Sequence, residues 1–68
     1  MDKDFLIKTL KSMYLNNPNK EAIIIELKGS IEELKQLLAQ NKKDAFLKKS
    51  FEEQITFQKE LLKLAKKL

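Results

Sequence analysis

The side chains that could do chemistry in this chain are few, and their spacing does not bring them together. The sequence has no histidine and no cysteine, so imidazole bases, thiolate nucleophiles and the usual transition-metal ligand sets are missing. Two acidic pairs, Glu32-Glu33 and Glu52-Glu53, are its carboxylate clusters. Adjacent residues on a helix point about 100° apart, so neither pair converges on one ion. We therefore predict no enzyme activity, no metal site and no cofactor.

Positive charge is the second chemical feature of the chain. The formal net charge is +4, and all 14 basic residues are lysine. Arginine reads guanine edges and phosphates with two parallel hydrogen bonds, whereas lysine is a hydrated point charge. Nucleic-acid binding by a lysine-rich helical dimer is therefore an alternative that the composition allows but does not favour.

The last ten residues, KELLKLAKKL, offer a membrane alternative. They resemble cationic amphipathic membrane-active peptides, with leucines on one face and lysines on the other. We favour leucines packed inside a bundle and lysines at the negative end of a helix dipole. The longest unbroken apolar run, residues 22–25, is far shorter than the ~20 residues of a transmembrane helix, and the N-terminus has no signal-peptide pattern. We expect a soluble, cytoplasmic protein.

Helix breakers are scarce, because glycine and proline occur once each. A first helix is predicted over residues 2–15, from a helical period of apolar residues. Its apolar arc consists of Leu6, Ile7, Leu10, Met13 and Tyr14. The segment NNPN then separates two helices, because Asn17 is a good N-cap and a proline at the first helical position loses no hydrogen bond.

The second helix, predicted over residues 18–41, has a heptad pattern typical of a coiled coil. Its seam consists of Ile24, Leu27, Ile31, Leu34 and Leu38, with Ile23 and Leu37 on the flanks. The third helix is predicted over residues 44–67, with Asp44 as its N-cap. Apolar side chains cover about half of its circumference, which is wide enough to contact more than one neighbouring helix.

The stretch AIIIELKGSIEEL, residues 22–34, admits three interpretations. Gly29 followed by a capping box of Ser30 and Glu33 would end one helix and begin another, as in a helix-turn-helix DNA reader. Three consecutive isoleucines would suit a strand, but the chain offers no partner strand. We favour one continuous helix, because the seam keeps its phase across Gly29, where glycine costs only about 1 kcal/mol relative to alanine. A recognition helix would also turn Glu32 and Glu33 toward DNA phosphates, which repel them.

The predicted fold is all-α. Helices 2 and 3 form a long antiparallel hairpin, the shorter helix 1 packs across it, and residues 1–68 form a single domain that bundles as a homodimer. A chain of this length buries only about 60% of its unfolded surface when it folds alone, so a second copy would add stability. Helix 1 is too short to cover the whole hairpin, which leaves apolar surface for a partner.

We therefore predict a non-catalytic protein-interaction module, of the kind found among small bacterial and phage adapters, regulators, secretion co-chaperones and inhibitors. Its partner would be another protein, to which it offers an apolar helical strip bordered by lysines. The residues predicted at this surface are Ile25, Phe46, Phe57, Leu61, Leu64 and Leu68.

Overall fold

The computed structural model describes residues 2–67, and this part of the chain contains three α-helices and no strand. α1 spans Lys3–Asn16, α2 spans Lys20–Gln40 and α3 spans Ala45–Lys67. The all-α prediction is confirmed. The three helices begin and end within two residues of the predicted positions.

α2 and α3 form an antiparallel hairpin, and α1 packs across one end of it. Lys20 Nζ, at the start of α2, donates a hydrogen bond of 3.3 Å to the carbonyl oxygen of Lys66, near the end of α3. All three helices contribute to one core cluster at this end: Leu6, Leu10, Ile23, Leu27, Leu61 and Ala65. Two further buried residues, Ile31 and Ile55, lie outside that cluster, nearer the turn that joins α2 to α3.

The boundary between α1 and α2 differs from the prediction by two residues. Asn17 is extended, with φ −150° and ψ 101°, as expected for a residue that precedes proline. Asn19, not Asn17, is the N-cap of α2: its Oδ1 accepts hydrogen bonds of 3.0 and 3.3 Å from the backbone N–H groups of the second and third helical residues. Pro18 therefore lies before the helix and not in its first turn.

The turn between α2 and α3 is short and closed by side chains at both ends. Asn41 Nδ2 donates a hydrogen bond of 2.7 Å to the carbonyl oxygen of Leu37, in the last turn of α2. Asp44 caps α3 as predicted, because its Oδ1 accepts from the N–H groups of Phe46 and Leu47 at 3.0 and 3.1 Å. These bonds satisfy backbone and side-chain groups at the turn, so the two long helices can reverse direction within four residues.

α2 continues without a break through Gly29. The φ angle of Gly29 is not positive, so no left-handed turn forms there. A Cβ atom added at Gly29 would have no neighbouring atom within 4 Å. The helix-turn-helix and strand interpretations of residues 22–34 are thus wrong, because each requires a backbone conformation that α2 does not have.

Burial along α2 follows the predicted seam, with one shift at its first position. The seam is buried or half-buried along its length: Ile24, Leu27, Ile31, Leu34 and Leu38. Ile23, predicted on the flank, is 0% exposed, whereas Ile24 is half-buried. The reason is α1, since Ile23 belongs to the cluster that contains Leu6 and Leu10.

Replacing Gly29 by alanine should stabilise the protein by up to about 1 kcal/mol, because alanine has the higher helix propensity and the added methyl group meets no neighbour. The free energy of unfolding from urea titrations followed by circular dichroism would measure the change. A loss of stability would contradict a continuous α2.

Asn19→Ala should cost about 1 kcal/mol, because it leaves two backbone N–H groups of α2 without their acceptor. Asn17→Ala is the matched control. It should cost less, since the Asn17 side chain accepts one N–H, that of Asn19, at 3.2 Å. The same urea titrations measure the loss of stability in each variant. A larger loss for Asn17→Ala than for Asn19→Ala would show that Asn17 is the cap.

Candidate functional site

The predicted partner-binding residues lie in different environments. Ile25 and Phe46 are exposed, with 69% and 79% of their surface accessible. Phe57 and Leu64 are half-buried and pack against the core cluster. The structure therefore brings Phe57 and Leu64 together beside the core, while Ile25 and Phe46 lie outside it.

Leu61 was predicted at the partner-binding surface, and its burial contradicts that position. It is 1% exposed and belongs to the core cluster shared by the three helices, so a partner cannot reach it in the folded chain. The helical period places Leu61 correctly on the apolar side of α3, but it does not show that α1 and α2 both pack there. Leu68 lies outside the described residues.

One stripe of α3 faces α1 at one end of the hairpin and extends past α1 at the other. Phe57 packs on Phe5 of α1, with ring centroids 5.5 Å apart and the planes inclined by 44°. Leu64, one heptad later, lines a shallow groove together with α1. Ser50 and Phe46 precede Phe57 by seven and eleven residues on the same stripe. Eleven residues rise about 16 Å along a helix, which places Phe46 beyond α1.

The helical repeat of α2 places two leucines on the side of the hairpin where α1 packs. Ile23 packs in the cluster with α1, and Leu34 and Leu37 follow it by eleven and fourteen residues, on the same side of the helix. Both leucines are half-buried, and neither belongs to the core cluster that α1 shares with the hairpin. We call Leu34, Leu37, Phe46 and Ser50 the open half of the groove.

The charges beside the open half are of both signs. Phe46 and Ser50 line a shallow pocket together with Lys49 and Glu53, and the two charged residues are exposed. A surface with an apolar centre and charges of both signs at its edge can meet a copy of itself without net repulsion.

A second groove lies between α2 and α3 on another side of the hairpin. It is lined by Lys28, Ile31, Glu32, Lys35, Lys59 and Leu62, and we call it the lysine-lined groove. Leu62 and Leu64 point about 160° apart on α3, so this groove and α1 lie on different sides. The one carboxylate of the set, that of Glu32, is 3.7 Å from Lys35 Nζ. The lining therefore contains three lysines and one glutamate, which makes the groove positively charged.

The acidic pairs are exposed along the helix surfaces: Glu32, Glu33, Glu52 and Glu53. Among residues 2–67, no group of three or more acidic side chains is placed to hold a metal ion. In the same part of the chain, no helix combines the length and the apolar character needed to span a bilayer.

The cationic end of α3 packs its apolar side inside the bundle. Leu61 and Ala65 are buried, and the leucines at 62 and 64 pack against the core. Lys66 and Lys67 lie in the last turn, where the negative end of the helix dipole favours cations. Three leucines that would enter a membrane in the amphipathic-peptide interpretation, Leu61, Leu62 and Leu64, are therefore already in or packed against the core.

Sequence reasoning missed two exposed apolar side chains of α1. Phe5 is 56% exposed although it packs on Phe57, and Leu15 is 86% exposed. Both fall outside the apolar arc that defined the first helix. Phe5 could have been identified from its aromatic ring, because a large apolar ring usually packs against an apolar neighbour even when it lies outside the apolar arc of its helix. For Leu15 the sequence contains no such signal.

Comparison with known proteins gives no match to this chain: no family model, no curated protein and no solved structure.

Leu61→Ala should lower the free energy of unfolding by about 2–5 kcal/mol, because it removes a fully buried side chain from the core. Ile25→Ala, at an exposed position on α2, is the matched control and should change it by no more than about 0.5 kcal/mol. Urea titrations of the two variants measure both values. Similar losses for the two would contradict the assignment of Leu61 to the core and of Ile25 to the surface.

Proposed function

We propose that the chain is a non-catalytic protein-interaction module whose open half pairs with a second copy to form a homodimer. The observation that supports this is the uneven cover of the hairpin. α1 packs against one end of the hairpin, while half-buried Leu34 and Leu37 and exposed Phe46 lie nearer the turn between α2 and α3. Uncovered apolar surface that continues a core is characteristic of a binding site. The proposal places the chain among small adapters, regulators, secretion co-chaperones and inhibitors.

The exposed area supports a second copy as the occupant. A compact monomer of 8.0 kDa should expose about 4,500 Å², whereas this chain exposes 5137 Å². The excess is about 640 Å², of the same order as the ~800 Å² that each partner buries in a standard protein interface. One interface of ordinary size would therefore bring the exposed area to the value of a compact protein.

The shape of the chain leads to the same proposal. The radius of gyration is 12.9 Å, compared with about 11 Å for a compact domain of this length. The molecule measures 38 × 23 × 18 Å, so its longest dimension is about twice its shortest. Two copies that pair side by side at their open halves would form a more compact particle than either copy alone.

A two-fold axis through the open half would make the interface self-complementary. Phe46 of each copy would pack near Leu34 and Leu37 of the other. α2 and α3 of both copies would then surround the contact as in a four-helix bundle. Lys49 and Glu53, at the edge, would meet residues of opposite sign across the axis, which favours this register.

Phe46→Glu should convert the dimer to a monomer, because a carboxylate would be buried without a partner at the centre of the interface. Leu15→Glu is the matched control: it makes the same kind of change at another exposed apolar residue, on α1 and away from the open half, and should leave the dimer intact. Sedimentation equilibrium measures the mass of each protein.

Circular dichroism would show that both glutamate variants keep the helical content of the parent. A parent protein that is monomeric at every concentration would refute the dimer. Equal dissociation of the two variants would refute the assignment of the interface to the open half.

A further inference from the structure

We infer that the lysine-lined groove is a docking site for an acidic amphipathic helix of another protein. The homodimer proposed above uses a different side of the hairpin, so this inference goes beyond it and does not depend on it. Three features of the groove carry the inference: its shape, the spacing of its lysines and its charge.

The shape of the groove fits one helix. Its floor is formed by Ile31, which is 6% exposed, and by half-buried Leu62. Packed helices lie about 8–10 Å apart, and a third helix can rest in the groove between two of them. α1 already does this on the other side of the hairpin, where Leu6 and Leu10, four residues apart, enter the core. A partner helix with apolar residues at similar spacing would contact Ile31 and Leu62 in the same way.

Lysines lie on both walls of the groove, on either side of its apolar floor. Lys28 and Lys35 are seven residues apart on the α2 wall, and Lys59 lies on the α3 wall. Seven residues rise about 10.5 Å along a helix. In coiled coils, charged residues that flank the apolar seam at this repeat decide which helix binds and in which orientation. Lysine on both walls of the groove matches a partner helix that has Glu or Asp on both sides of its apolar stripe.

Charge excludes a second copy from this groove. A copy that docked through its own lysine-lined groove would place lysines against lysines, and each chain already has a net charge of +4. Like charges placed across an interface repel each other, which selects against that pairing. An acidic helix gains attraction at the same positions.

An apolar floor also favours a helix over a nucleic acid. A duplex presents phosphates at its surface and offers no apolar stripe to Ile31 and Leu62. The chain has no arginine among its 14 basic residues, whereas nucleic-acid readers use arginine for bidentate contacts. The acidic side chains of a helix need only the point charges that lysine supplies.

The test uses a synthetic, fluorescently labelled peptide of about 20 residues, long enough to form a helix. Its leucines repeat the spacing of the apolar residues of α1, and glutamates flank them on both sides. Fluorescence anisotropy at about 0.15 M salt measures binding to the full chain. Two control probes are the same peptide with lysine in place of glutamate and a DNA duplex of about 20 base pairs.

The variant that tests the groove combines Lys28→Glu with Lys59→Glu, one lysine from each wall. The matched control combines Lys8→Glu with Lys11→Glu, two exposed lysines of α1, and lowers the net charge by the same amount. We expect the acidic peptide to bind the parent and the control alike, and to bind the groove variant at least about tenfold more weakly. Phe46→Glu should bind the peptide as the parent does, because Phe46 does not line the groove.

Several results would overturn this inference. Equal weakening in the two double variants would show general attraction to a basic protein, and equal binding of the lysine peptide would show that charge does not select the partner. Tighter binding of the duplex, lost in the groove variant, would make the groove a nucleic-acid site. The absence of saturable binding by the acidic peptide would also refute it, whatever the oligomeric state of the chain.

Discussion

A helix of 14 residues, α1, packs against a hairpin whose two helices have 21 and 23 residues. At about 1.5 Å per residue, α1 is about 21 Å long, and the hairpin is about 32–35 Å long. About a third of the hairpin therefore has no third helix beside it. The excess exposed area, the elongated shape and the exposure of Phe46 all follow from this difference in length. A longer α1 would bury the open half within one chain.

Lysine gives the two uncovered sides of the hairpin different chemistry. Beside the open half, Lys49 lies near Glu53, and the two charges offset each other. In the lysine-lined groove, one glutamate accompanies three lysines. In the two proposals above, this difference in charge lets one side accept a copy of the chain and the other side repel it. Charge placement, more than apolar content, separates the two surfaces.

The sequence was sufficient for the class of fold, the three helices, the continuous α2 and the cap at Asp44, because helical period and capping are local properties. It did not reveal that Asn19 replaces Asn17 as the cap of α2, since both asparagines flank Pro18 and either could serve. It also placed Leu61 at the surface and Ile23 on a flank. Both errors have one cause: a helical period shows which side of a helix is apolar, but not which neighbour covers each part of that side.

α1 is attached to the hairpin through two buried leucines, Leu6 and Leu10, with half-buried Met13 and Tyr14 packed beside them. A helix with so few buried contacts opens at a lower free energy than the whole fold. Once α1 has opened, the part of the groove it covers joins the open half, and one continuous apolar groove extends along the hairpin. The α1 helix of a second copy could then occupy the vacated part. The short helix that leaves the hairpin incomplete thus also gives two chains a route to exchange helices.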